Sequence, residues 1–79
     1  MFKTLVKTAA VGLDNQTFAV CYFELRTTSG RRRYSAEIVL APGDRIILDD
    51  DSVTNLEARA TCLVPATLYS RMLARVTAA

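Results

Sequence analysis

The chain has 79 residues, 51% hydrophobic and 23% charged, which excludes an extended disordered segment and allows one modest core. Ten basic and eight acidic residues leave a net charge of +2, too balanced for a protein that grips nucleic-acid phosphates by bulk charge. A chain this short buries only about 60% of its unfolded surface, so residues 1–79 are expected to form a single small domain with a marginal core, open to self-association.

Phe2 to Val11 fits two patterns. As a helix, Phe2, Leu5, Val6, Ala9 and Leu13 form a stripe with Gly12 as its stop. The β-branched residues Thr4, Val6, Thr8 and Val11 favour a strand over residues 3–11 instead, and strand is the preferred reading. Asp14-Asn15-Gln16 then turns the chain into the next strand.

Residues 17–28 and 31–41 read as a hairpin turning at Ser29-Gly30. That turn pairs Ala19 with Leu40, Cys21 with Ile38, Phe23 with Ala36 and Leu25 with Tyr34, giving one apolar face. The opposite face then carries Glu24, Arg26, Arg33, Ser35 and Glu37 near the turn, and Phe18, Val20, Tyr22 and Val39 at the far end. Ala41-Pro42-Gly43-Asp44 is a second turn, because proline presets its own φ and glycine accepts the positive φ that follows. A three-residue loop, Pro42 to Asp44, sets Ile46 against Leu40 and Leu48 against Ile38 in a strand over residues 45–49.

Asp49-Asp50-Asp51-Ser52 ends that strand and starts a helix, capped by Ser52 or by Thr54 with Glu57. Val53, Leu56, Ala60, Leu63 and Val64 keep helical spacing. Strand-like alternation of Leu56, Ala58, Ala60, Cys62 and Val64 is the rival, but alanine and arginine favour helix. Pro65 is expected to end a helix over residues 53–63 and open another over 65–77, whose Tyr69, Met72, Leu73 and Val76 share one side, with Arg71 and Arg75 outward or near the C-terminal end. The fold class is therefore α+β: an antiparallel sheet of three to four strands, then two C-terminal helices packed on one face.

Two constellations carry the functional expectation. Arg26, Arg31, Arg32 and Arg33 put four positive charges at the hairpin tip. Alternation groups Arg31 with Arg33 on the polar face, sends Arg32 to the side of Tyr34, and sets Arg26 opposite Arg33. Such a ribbon suits nucleic-acid phosphates or an acidic protein, although few stacking rings surround it and charge at a hairpin tip also discourages edge aggregation. Phe18, Val20, Tyr22 and Val39 form an apolar patch for a partner or a second copy, unless a helix or the first segment covers it.

The remaining groups argue against chemistry. Asp49 to Asp51 lack the EF-hand spacing, since Val53 and Thr54 would take the third-ligand and glycine positions, so helix-dipole complementation explains them without a metal. Cys21 and Cys62 have no metal-ligand spacing and are expected as reduced structural thiols, Cys21 on the hairpin's apolar face. There is no histidine and no Gly-x-Ser-x-Gly, Walker or dinucleotide motif, so no catalytic residue, metal or cofactor is expected. No signal-peptide pattern or long apolar run is seen, and a cytoplasmic location without membrane contact is expected. The expected function is a non-enzymatic protein-interaction module, an adaptor, regulator or inhibitor of the kind mobile elements also carry. It would bind a protein partner through its sheet face or basic hairpin tip, with homodimerisation open. The alternative is a nucleic-acid-binding module built on the arginine hairpin.

Overall fold

The computed structural model describes residues 2–78, with side chains for 3–74; the expectations placed on the side chains of Phe2, Arg75 and Val76 lie outside these. Four strands, β1 (Phe2–Leu13), β2 (Gln16–Arg26), β3 (Arg32–Ala41) and β4 (Asp44–Asp50), form an antiparallel sheet in chain order. One helix, α1 (Val53–Ala78), follows and lies on one face. The first segment is strand, because a tight turn folds it onto β2. Asp14 and Asn15 both take positive φ, 49° and 66°, the conformation of a type I′ hairpin turn, which short polar side chains tolerate best.

The central hairpin turns differently from the Ser29-Gly30 expectation, and the difference moves a whole face. The loop has three residues, Thr28 to Gly30. The Gly30 amide donates to the Thr27 carbonyl at 3.0 Å, and the Thr27 amide donates to the Arg31 carbonyl at 3.4 Å. Gly30 sits at φ 80°, as the bulge glycine of a three-residue hairpin loop must. One extra loop residue shifts the ladder by one, so Val20 pairs with Ile38, Tyr22 with Ala36 and Glu24 with Tyr34. Side chains of β2 therefore exchange faces relative to the expectation. Phe18, Val20 and Tyr22 enter the core, while Cys21 moves to the outer face and is half-buried there. This register gives the helix larger, better-filling side chains than Ala19 and Cys21 would.

The turn before β4 has two residues, Pro42 and Gly43, with Gly43 at φ 75° and Ala41 paired to Asp44. A bulge between Val39 and Ala41 adds one residue to β3 and so restores the face of Ile46 and Leu48 that the shorter loop would have reversed. Ile46 thus meets Ile38, and Leu48 meets Ala36: the expected face, displaced by two residues.

Ser52 caps α1, its Oγ accepting from the Asn55 amide at 3.2 Å. The two expected helices are one, with Pro65 inside it. Leu56, Ala60 and Val64, spaced by four, are fully buried on the sheet, and partly buried Leu68 continues that line past the proline. An unbroken helix keeps these four in phase over the core. Tyr69, Met72 and Leu73 remain exposed. The core comprises Phe18, Val20, Tyr22, Ala36, Ile38, Leu48, Leu56, Ala60 and Val64. Burial of Val20, Ile38, Leu56 and Val64 contributes about 2 kcal/mol each.

Candidate interaction surface

The arginine end resolves into two compensated clusters. Arg26 pairs in register with Arg32, not Arg33, and Glu24 lies between them, 3.6 Å from the Arg26 Nε and 3.7 Å from the Arg32 Nε. Arg33, on the other face, donates to Asp49 at 2.9 Å and also to Asp51, with Arg31 3.9 Å from Asp51. The grouping of Arg31 with Arg33 thus survives the register change, since it depends only on parity. Hydrogen bonding to Asp49, aided by the nearby charges of Asp49 and Asp51, raises the Arg33 pKa above its ordinary value. A carboxylate within 4 Å of every hairpin arginine reduces the field that this end presents to a polyanion.

Asp50 has a separate role at the junction of β4 and α1. Its carboxylate accepts from the Asn55 side chain at 3.1 Å, the Asp51 amide at 2.7 Å and Arg59 at 3.3 Å, while Arg59 also donates to the Asp49 carbonyl at 2.9 Å. The acidic run therefore anchors the helix entrance through side-chain bonds, with no acidic residue in the helix's first turn. These bonds, the Asn55 amide first, hold the Asp50 carboxyl below its ordinary pKa. A group with a lowered folded pKa stabilises above its unfolded pKa, and the stabilisation is lost as pH falls through the folded value. Wild-type stability should therefore carry an Asp50 component that fades below about pH 3.9. Asp50→Asn should be less stable at neutral pH and show a flatter acid limb in urea melts taken across that range.

The outer face of the sheet has no element packed over it among the described residues. The alternation that buries Val20 and Tyr22 turns Cys21, Phe23 and Leu25 outward, beside Leu5 of β1, Val39 of β3 and Ile47 of β4. Leu5 is 54% exposed, Val39 47% and Ile47 62%. Of the residues first singled out for a patch, only Val39 lies here. Phe23, Leu25, Leu5 and Ile47 were missed, and the signal that finds them is the three-residue loop with its bulge glycine.

Charges frame this outer face in pairs. Lys3 donates to Glu37 and lies over the Phe23 ring, 4.2 Å from its centroid. Arg45 donates to the other Glu37 oxygen at 3.1 Å, and Arg33 holds Asp49 and Asp51. Ser35 is 6% exposed at the centre, leaving a small side chain next to Phe23 in the ladder.

On the helix side, Lys7 ties β1 to α1 through Glu57 at 2.9 Å, and the neighbouring Tyr22 hydroxyl has its pKa raised, chiefly by burial. A shallow groove between Phe18, Leu40, Pro65, Leu68, Tyr69 and Met72 opens beside the first turn. Among the described residues, no three carboxylate or thiol side chains converge as a metal site would require. No described helix is long and apolar enough to cross a membrane. No protein-family model, curated protein or solved structure matches the chain.

Proposed function

We propose that this protein is a non-enzymatic interaction module, an adaptor or regulator, that binds protein through the outer face of its sheet. The observation that carries the reading is the exposure of Leu5, Val39 and Ile47, each about half exposed or more, on the same sheet face as Phe23 and Leu25. Several large apolar side chains exposed on one sheet face are costly to leave in water and mark association sites. The charges on that face are mutually paired, so a protein surface can cover it with no orphaned ion. Compensation of the arginine cluster by Glu24, Asp49 and Asp51 weighs against the nucleic-acid alternative.

The test is Ile47→Glu, which places a carboxylate on the face at a position that the core does not use. The variant should fold and lose protein capture, whereas wild type retains it. Salt-sensitive retention on DNA or RNA that Ile47→Glu leaves intact would instead give the function to the arginine end.

A further inference from the structure

We infer that the occupant of the outer face is a second copy of this chain, related by a two-fold axis that runs between the two sheets parallel to their strands. The inference rests on the reading that this face binds protein, and it names the partner.

Architecture is the first argument. With its helix on one side only, the sheet has the uncovered face of a two-layer unit awaiting a further layer.

Charge supplies the second argument and selects the partner. The face carries Lys3, Arg31, Arg33 and Arg45 against Glu37, Asp49 and Asp51, four charges against three and close to balance. A strongly acidic or basic partner finds no complement there, but an identical face does. The distribution then fixes the symmetry. At the hairpin end, the β1 edge presents Lys3, while the opposite edge, where β4 ends, presents Asp49 and Asp51. An axis parallel to the strands exchanges the two edges and keeps the ends together. Lys3 of each copy then lies over the acidic edge of the other, and the contact occurs twice.

The same operation sets β2 over the partner's β3. Phe23 and Leu25 then face the strand on which Ser35 is the small central residue, so large side chains meet a low point of the opposite sheet. Two sheets aligned within about 30° pack in this way at about 10 Å separation. An in-plane axis perpendicular to the strands would instead stack β1 on β1 and send Lys3 to the Ala10 end, away from Asp49 and Asp51.

Sedimentation equilibrium on the full chain tests the inference. Wild type should dimerise, and Ile47→Glu should weaken the dimer by about a hundredfold, because the charge enters twice. Lys3→Glu and Asp51→Lys should each weaken it by about tenfold. Mixed in equal amounts, the two variants should regain wild-type affinity as a heterodimer, since both of its charge contacts are again attractive. Cys21 lies within the interface and Cys62 is exposed on the helix, so maleimide labelling read by mass spectrometry should show Cys21 protected as concentration rises, with Cys62 unchanged. A wild-type chain that stays monomeric at millimolar concentration overturns the inference, as does a dimer indifferent to Ile47→Glu. A mixture that fails to recover affinity overturns the parallel axis. If wild type is monomeric while Ile47→Glu still abolishes protein capture, the second copy is excluded and the interaction reading stands. If Ile47→Glu changes neither, both fall.

Discussion

Val20→Lys is expected to abolish cooperative folding. Val20 has no exposed surface and lies in one cluster with Tyr22, Ile38 and Leu56, roofed by α1. Removing the valine forfeits about 2 kcal/mol of apolar burial, and the ammonium has no carboxylate among the other core residues to pair with. The combined loss, about 4 kcal/mol or more, matches the whole stability of a small domain at about 0.05–0.15 kcal/mol per residue. Circular dichroism and urea titration should show an unfolded or molten chain at neutral pH. Val39→Lys, one position beyond the Val20 partner Ile38 and on the outer face, should leave the transition within about 0.5 kcal/mol of wild type at a concentration low enough to keep both proteins monomeric. The pair reads the hairpin register directly. A folded Val20→Lys protein would mean that the loop closes at Ser29-Gly30 after all.

Pro65→Ala should stabilise the protein by about 2 kcal/mol, raising its melting temperature by about 10 °C. Inside a continuous helix, proline provides no amide for the Thr61 carbonyl, and its ring crowds that carbonyl, at a cost of about 3 kcal/mol. The greater freedom of alanine in the unfolded chain returns up to about 1 kcal/mol of this. Pro65 is exposed, so the smaller side chain leaves no cavity. Two helices meeting at Pro65 would respond differently, because proline suits the first position of a helix and alanine there would gain nothing. Thermal melts of the single variant therefore distinguish one helix from two.

Much of the fold is written locally. Asp14-Asn15 and Pro42-Gly43 have turn chemistry that identifies them, and the Leu56-Ala60-Val64 spacing announces the helix that covers the sheet. The face of β2 is harder, since Phe18, Val20 and Tyr22 alternate with Ala19, Cys21, Phe23 and Leu25, and both sets are apolar. Hydrophobic pattern cannot choose between two apolar faces, so one loop residue decides. That residue is Thr28, which lengthens the loop and makes Gly30 a bulge. The candidate surface inherits this ambiguity: the same slip that buries Phe18, Val20 and Tyr22 exposes Phe23 and Leu25. Pro65 misleads for another reason. Its local preference to end a helix is outweighed by the tertiary gain from keeping Leu68 in line with Val64.

The pairing of every strand with its sequence neighbour has a consequence for how the chain acquires its structure. Each hairpin closes over a loop of two or three residues, so the sheet zips with small entropic penalties and should form on a timescale of about milliseconds or less. The helix comes last in the sequence, and during synthesis the sheet precedes its own roof. For that interval Val20, Tyr22 and Ile38 lie as open to water as Leu5 and Ile47 do. Until α1 docks, the nascent sheet has two sticky sides, and the speed of helix docking decides which of them another chain can find first.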